Sequence, residues 1–215
     1  VWSSLRDAKC ISQVDLASSF WLISLHENSR YLSAFTCSLG TMQWTCMSMG
    51  MQPSSAWMQR CMEECFAERG LLYTDPASKG FDEVTGQPQN FTVIYQDDIL
   101  YWSSDVESHK MMTELVMQCL SDHNLYVRAP KCAFFRRMVR HLGAIVGGGE
   151  MHMDPDKVSA IANLREPASV TEVQSLIGAC SFYRRWIPKF AAICAPLYEM
   201  TVKGVTKGNF SEKWT

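Results

Sequence analysis

The sequence has no apolar stretch of about 18 residues, the length that a membrane-spanning helix needs, so a membrane span is not expected. It begins at Val1, without an initiator methionine and without the basic and apolar segments of a signal peptide. This beginning is typical of a processed product or of an excerpt from a longer protein.

Cysteines and histidines lack the spacing of a metal site. The nine cysteines are scattered without a Cys-x-x-Cys pair, and the five histidines show no ligand spacing. Cys61 and Cys65 lie four residues apart in a predicted helix, where such a pair more often packs in the core than binds a metal. We therefore expect reduced, buried thiols and an intracellular, reducing location, in a compartment that the sequence does not specify.

A general excess of positive charge is also lacking. The chain of 215 residues has 20 basic and 22 acidic residues, a formal net charge of -2 and a pI near 6.2. This balance argues against a free-standing protein that holds a phosphate backbone over its whole surface. The hydrophobic fraction of 47% is enough to fill the core of one large or two small domains.

What the sequence does contain is a pair of adjacent carboxylates inside an apolar run. Asp97 and Asp98 interrupt residues 91–102, whose β-branched and aromatic side chains favour strand, so both should lie where two strands turn back on each other. Two neighbouring anions repel, but they become useful where divalent cations need oxygen ligands, as in two-metal phosphoryl transfer. The alternative is a hairpin whose acidic turn merely faces water.

A second acidic strand is predicted near the start of the chain. Residues 10–16 alternate in polarity and place Gln13 and Asp15 on one face. Asp15 could therefore lie on a strand next to the Asp97-Asp98 hairpin. Three carboxylates that converge there would make a magnesium or manganese site.

Periodicity and turn chemistry predict the remaining elements. Three stretches with apolar residues at helical spacing predict helices, at 54–69, 108–123 and 169–187. Asp154-Pro155-Asp156 predicts the capped start of another helix. Residues 22–49 predict strands separated by polar turns such as 27–30, 147–149 predicts a flexible glycine turn, and 73–90 predicts a long loop.

Several segments resemble, in the same order along the chain, the motifs of reverse transcriptases from gypsy-type long-terminal-repeat retrotransposons. They are the first palm motif at 14–20, the motif that opens the long palm helix at 47–59, the Tyr-x-Asp-Asp signature at 95–98, the Lys-Cys-x-Phe element at 130–135, the primer grip at 139–143, and the thumb signature at 175–178 and 182–190. The resemblance covers nearly the whole chain, and its collinear order makes it far more specific than any one motif.

The resemblance implies a mixed α/β (α+β) fold, with a right-hand polymerase palm that carries part of the fingers and is followed by a small helical thumb. It places the palm with partial fingers at 1–146, a thumb-like helical region at 147–200 and the start of a connection segment at 201–215. The loop at 73–90 would be an insertion in the palm that could serve a partner.

The resemblance also implies roles for single residues. Asp15, Asp97 and Asp98 would be catalytic and hold two Mg²⁺ (or Mn²⁺) ions, and Lys131 would donate a proton to the leaving pyrophosphate. The implied nucleotide-binding residues are Phe20, as a steric gate against the ribose 2′-hydroxyl, Gly50, Gln59 and Tyr95. The implied primer- and template-binding residues are Leu142, Gly143, Arg136, Arg137, Arg140, Arg184 and Arg185. The alternative is that Phe20, Met49 and Leu142 are core residues and that the arginine run is a solvated face.

Two functions follow from the resemblance. In the first, the chain is part of an RNA-directed DNA polymerase with an RNA/DNA template-primer and dNTPs as partners, and it stays inactive until an upstream fingers segment supplies the cationic clamp for the triphosphate. In the second, a retroelement palm has been domesticated as a non-catalytic pseudoenzyme, a structural or assembly subunit whose partners are the other proteins of a larger complex. The near-neutral charge, the missing fingers segment and the long insertion at 73–90 favour the second function, whereas the three aspartates and Phe20 favour the first. Ser19 stands at a position where glycine is usual and would crowd the nucleotide.

Overall fold

The computed structural model describes residues 5, 8–73 and 91–201. Its strands and helices are, in chain order, β1 (Cys10–Asp15), β2 (Phe35–Cys37), β3 (Gly40–Met42), α1 (Ser54–Ala67), β4 (Thr92–Tyr95), β5 (Asp98–Ser103), α2 (Val106–Asp122), β6 (Ala133–Arg136), β7 (Met138–His141), β8 (Ala144–Gly147), β9 (Glu150–Met153), α3 (Pro155–Ala162), α4 (Val170–Ser181) and α5 (Phe190–Glu199). Short 3₁₀ helices lie at Ser19–Leu22, Glu27–Ser33 and Ala129–Lys131.

A four-stranded antiparallel sheet in the order β4-β5-β1-β6 carries the predicted acidic strands. β1 pairs with β5 in continuous register, from Cys10 opposite Ser103 to Asp15 opposite Asp98. Both inner strands are rich in β-branched and aromatic residues, which suit a pleated surface packed on both sides. The sheet therefore brings the ends of two strands that are distant in sequence to one edge.

Two amphipathic helices pack on this sheet, α1 against β4 and α2 against β5 and β1. In α1, Met58, Met62 and Phe66 recur every four residues and are buried in the main hydrophobic cluster, as the helical spacing predicts. In α2 the helical spacing predicts Met111, Leu115, Met117 and Leu120 for the core. Leu120 is buried, and Leu115 and Met117 are partly buried against the main cluster, but Met111 is exposed and its neighbour Met112 is buried.

Residues 22–49 contain less strand than the sequence predicts. β2 and β3 form a short separate hairpin, with Phe35 opposite Met42. The predicted polar turn at 27–30 is wrong, since these residues lie in the 3₁₀ helix Glu27–Ser33. The ring of His26 caps that helix by accepting a hydrogen bond from the Asn28 backbone N–H at 3.3 Å.

The chain divides into two compact units, Val1–His141 with Val146–Met151, and Leu142–Ile145 with His152–Thr215. The second unit contains α3, α4 and α5, with a small core of Val173, Ile177 and Met200. Asp154 caps α3 by accepting from the Asp156 backbone N–H at 3.1 Å, with proline at the first helical position, as predicted. α4 ends at Ser181, six residues before the predicted end. The boundaries of the palm, thumb and connection stay predictions.

Residues 74–90 of the predicted loop and residues 202–215 of the predicted connection lie outside the described part of the chain. Within the described part, no helix is both long and apolar enough to cross a lipid bilayer. The nine cysteines carry free thiols.

A buried histidine links α2 to the two inner strands. The His109 ring lies 2.7 Å from Ser12 Oγ through Nε2 and 3.0 Å from Ser103 Oγ through Nδ1, and it stacks on Tyr101. Burial lowers the pKa of His109 to about 4, and the nearby Asp105 only partly opposes this shift. The ring is therefore neutral in the folded protein at neutral pH.

This histidine should make the protein acid-sensitive. Because the folded pKa lies below the unfolded value, the unfolded state binds the proton first, so stability is lost as pH falls from about 6.5 to about 4. The loss attributable to His109 should approach about 3 kcal/mol. We expect urea titrations at pH 7 and pH 4.5 to show a smaller pH difference for His109→Gln than for the unmodified chain. An unchanged difference would contradict the assignment, and His26→Gln, at an exposed position, is the matched control.

Candidate active site

The three predicted aspartates converge at the edge where β1 ends and β5 begins. Asp15 is the last residue of β1 and stands directly opposite Asp98, the first residue of β5. Asp97 occupies the two-residue turn between β4 and β5, and its carbonyl oxygen accepts a hydrogen bond from the Leu16 backbone N–H at 3.1 Å. The predicted acidic hairpin and its proximity to Asp15 are both present.

The turn that carries Asp97 is held by a side chain from α1. Gln96 has a positive φ of 56°, which is uncommon outside glycine. Its backbone N–H donates to Gln59 Oε1 at 2.7 Å, while Gln59 Nε2 donates to the Ile94 carbonyl oxygen at 3.0 Å. Gln59 thus holds the backbone of the turn by two hydrogen bonds. The nucleotide-binding role predicted for Gln59 does not include these hydrogen bonds.

The charges at this edge act on the pKa of Asp98. The pKa of Asp98 is raised, chiefly by burial and further by the negative charges of Asp97 and Asp15. A hydrogen bond from Gln13 Nε2, at 3.4 Å, and the positive charge of Lys131 oppose the shift. The anionic form of Asp98 therefore destabilises the fold, and a bound cation would offset this destabilisation.

Asp15 is largely enclosed and lies between two basic side chains. Its side chain is 15% exposed, and its Oδ1 is a buried atom without a hydrogen-bond partner in the described part of the chain. Two cations flank it, with Arg128 Nε 3.7 Å from Oδ1 and Lys131 Nζ 4.0 Å from Oδ2. The site thus combines three acidic groups with two basic ones.

These residues fit a hard divalent cation in their chemistry. Carboxylate oxygens are the ligands that Mg²⁺ and Mn²⁺ prefer, and the Asp15 Oδ1 lone pairs are not used by a hydrogen bond. Across the described residues, no three His, Cys, Asp or Glu side chains are already arranged at the mutual spacing of a metal site. The metal-binding role of Asp15, Asp97 and Asp98 stays a prediction.

The predicted nucleotide-binding residues have different environments. Phe20 packs in the main hydrophobic cluster and is 7% exposed, which agrees with the alternative of a core residue. Gly50 is exposed with a positive φ of 90°, and Tyr95 is 51% exposed at the end of β4. Their roles toward a nucleotide, including the steric gate, stay predictions.

Two predicted primer-grip residues form a tight turn in the second unit. Leu142 and Gly143 have positive φ values of 47° and 76°. The Tyr183 hydroxyl donates to the Gly143 carbonyl oxygen at 3.1 Å, and a Cβ at Gly143 would meet the Phe182 and Tyr183 rings at 3.3 Å. Two predicted motifs that lie 40 residues apart are therefore in direct contact.

The predicted template-binding arginines are exposed in both units. Arg136, Arg137 and Arg140 lie along β6 and β7 in the first unit. Arg184 and Arg185 follow α4 in the second unit, where the Arg185 guanidinium lies 5.1 Å from the centre of the Trp186 ring. Exposure suits a phosphate contact and suits a solvated surface equally well.

Two contacts of the aspartates were not predicted from the sequence, those made by the side chains of Gln13 and Arg128. Gln13 could have been found, because it lies two residues before Asp15 on the same face of β1. Arg128 gave no such signal: it lies 113 positions along the chain from Asp15, and only tertiary structure brings the two together.

Comparisons with known proteins give the site a context. The family model described as reverse transcriptase (RNA-dependent DNA polymerase) matches residues 2–146. The chain is 29% identical over 200 residues to the retrovirus-related Pol polyprotein from transposon gypsy, and 30% identical over 201 residues to that from transposon opus, both of Drosophila melanogaster. Each match covers 93% of this chain but only 18% of the relative's length.

Solved structures are similar over most of the chain. A foamy viral protease-reverse transcriptase in complex with ds DNA matches with a TM-score of 0.74 and 25% identity, over 92% of this chain and 32% of that one. A second foamy viral structure, in complex with an RNA/DNA hybrid, matches with a TM-score of 0.73 and 22% identity, over 98% of this chain and 28% of that one. The predicted mixed α/β (α+β) fold class is confirmed.

Proposed function

Because the chain belongs to the reverse transcriptase (RNA-dependent DNA polymerase) family, with relatives in gypsy-type retrotransposons, we propose that it is the palm and thumb portion of an RNA-directed DNA polymerase. The observation that carries the proposal is the cross-strand pair of Asp15 and Asp98 with Asp97 in the adjoining turn. Sheet packing does not require three acidic groups at one edge, where they repel each other, so a function in nucleotidyl transfer accounts for them. We assign the palm to residues 1–146, the thumb to 147–200 and a connection to 201–215.

Asp15, Asp97 and Asp98 are the residues that would hold Mg²⁺ or Mn²⁺. Bound there, such ions would activate the primer 3′-hydroxyl and offset the charge of the triphosphate. Gln59 keeps the turn that presents Asp97 in place from α1. Lys131, beside Asp15, lies on the acidic edge where it could donate a proton to the leaving pyrophosphate.

The partners of this activity would be an RNA/DNA template-primer and a dNTP. A net charge of -2 gives little general attraction to a phosphate backbone, so local arginines would have to supply it. The exposed arginines assigned to this task are Arg136, Arg137, Arg140, Arg184 and Arg185. Leu142 and Gly143 would place the primer end, and Phe20, Gly50 and Tyr95 would contact the nucleotide.

The decisive experiment is primer extension. The 215-residue chain is tested alone, and also joined to the segment that precedes the matched region in the gypsy Pol polyprotein, with a DNA primer on an RNA template and Mg²⁺. We expect extension from the joined protein, with dNTPs preferred over ribonucleotides, and its loss in the Asp97→Asn variant. Extension that persists in that variant would refute the site.

Inactivity of the joined protein, despite a folded state by circular dichroism, would instead favour a domesticated, non-catalytic subunit of a larger complex. That alternative predicts co-purifying protein partners and no dependence of any cellular role on Asp97. The two functions therefore differ in outcomes that one set of variants can measure.

A further inference from the structure

A basic residue is built into the edge that carries the aspartates. The segment around Arg128 runs beside the end of β1, where the Arg128 backbone N–H donates to the Asp15 carbonyl oxygen at 2.8 Å and Val127 forms a bridge with Leu16. One residue earlier, the Tyr126 carbonyl oxygen accepts from the Ala17 backbone N–H at 2.7 Å. Main-chain hydrogen bonds thus fix the base of the Arg128 side chain next to Asp15.

The Arg128 side chain forms an ion pair with Asp15 but does not donate a hydrogen bond to the Asp15 carboxylate. Arg128 Nε lies 3.7 Å from Asp15 Oδ1, which is beyond hydrogen-bond range, and that oxygen has no hydrogen-bond partner in the described part of the chain. The Arg128 side chain is 42% exposed, whereas the Asp15 side chain is 15% exposed. Because an ion pair of this length with one exposed partner contributes little to stability, opening it would leave the main-chain hydrogen bonds of this edge in place.

The charges around Asp15 explain why such a pair is present. Asp15, Asp97 and Asp98 interact unfavourably, and Lys131 offsets part of that repulsion. Arg128 adds a second positive charge on the Oδ1 side of Asp15, opposite the Oδ2 side that Lys131 faces. A divalent cation that approaches the same carboxylate is attracted by the aspartates and repelled by this guanidinium.

We propose that Arg128 is the resident counter-ion of Asp15 and competes with the divalent cation for that carboxylate, so that it sets the metal affinity of the site. The inference rests on one part of the proposed function, the binding of a divalent cation at Asp15. Arg128 acts here as a positioning residue, since it balances the charge of Asp15 when no metal is bound and gives way when a metal binds.

The test is the affinity of the 215-residue chain for Mn²⁺, measured by electron paramagnetic resonance of the free ion, without any assay of activity. Arg128→Gln should bind Mn²⁺ about 10-fold more tightly, because the variant lacks a positive charge beside Asp15 that repels a divalent ion. Arg128→Lys keeps the charge and should bind as the unmodified chain does. Lys110→Gln, which removes an equal charge from an exposed position of α2 in the same unit, is the matched control and should leave the affinity unchanged.

The outcomes separate this inference from the proposed function. If Asp15→Asn abolishes Mn²⁺ binding while Arg128→Gln binds no more tightly than the unmodified chain, the counter-ion role is refuted and the metal site stands. If Asp15→Asn binds Mn²⁺ as well as the unmodified chain, both the metal site and the counter-ion role are refuted. An equal gain in Lys110→Gln would also overturn the inference, since it would reflect net charge alone.

Discussion

Replacing Asp98 with asparagine should abolish primer extension and at the same time raise the thermal stability of the protein. Loss of a carboxylate that holds the reacting cations removes several kcal/mol of transition-state stabilisation, so the rate should fall at least about 1,000-fold. The pKa of Asp98 is raised by burial and by Asp97 and Asp15. A group with a raised acidic pKa stabilises the fold most where it is protonated and loses that contribution as pH rises through the folded pKa, so its anion is a net cost at neutral pH.

The two effects are measured on one preparation, by primer extension of the protein joined to an upstream segment and by thermal melts of the 215-residue chain. Glu107→Gln, which removes an equal charge from the exposed first turn of α2, is the control and should leave extension unchanged. The gain in melting temperature of Asp98→Asn should shrink as the pH is lowered toward 4. A variant that melts earlier than the unmodified chain at pH 7 would show that the aspartates do not repel each other as described.

Replacing Gly147 with alanine should unfold much of the first unit. Gly147 ends β8 with a φ of 142°, and a Cβ there would overlap the Arg137 carbonyl oxygen and lie 2.8 Å from Met138 Cα. Both obstacles are backbone atoms of the neighbouring strand, so they cannot move aside as a side chain would. Overpacking and the unfavourable φ together should cost about 3 kcal/mol or more.

Gly148, the next residue along the chain, provides a matched control. It also has a positive φ, of 64°, but a Cβ there meets nothing within 4 Å. Gly148→Ala should therefore cost only about 1 kcal/mol, the penalty of the left-handed conformation. Urea unfolding of the two variants should give clearly different midpoints. Equal midpoints would contradict the close approach of β8 to the start of β7.

Local sequence signals were enough for several elements. The Asp97-Asp98 hairpin followed from strand-forming residues on both sides of a polar pair, and the cap at Asp154 followed from Asp-Pro at a helix start. The turn predicted at 147–149 lies between β8 and β9, with glycine at each position of positive φ. In each case the residues that determine the structure are neighbours in the chain.

Where the sequence was wrong, local signals competed closely. The polar residues at 27–30 suit a turn and a short 3₁₀ helix equally, and the cap from the His26 ring decides for the helix. In α2, Met111 and Met112 are adjacent, equally apolar and about 100° apart around the helix, so helical spacing alone does not decide which of them faces the core, and packing on the sheet buries Met112.

The sequence by itself thus determined the family resemblance, the acidic hairpin and the presence of a third aspartate on a strand, because motifs and periodicity are written in consecutive residues. Only the tertiary structure decided that Asp15 stands opposite Asp98, that Gln59 holds the Asp97 turn and that Arg128 lies against Asp15. These contacts join residues that are far apart along the chain: Gln59 and Gln96 are 37 positions apart, and Asp15 and Arg128 are 113 positions apart. Strand register and helix packing depend on how the whole core is filled, and no local pattern of residues encodes which partners that packing brings together.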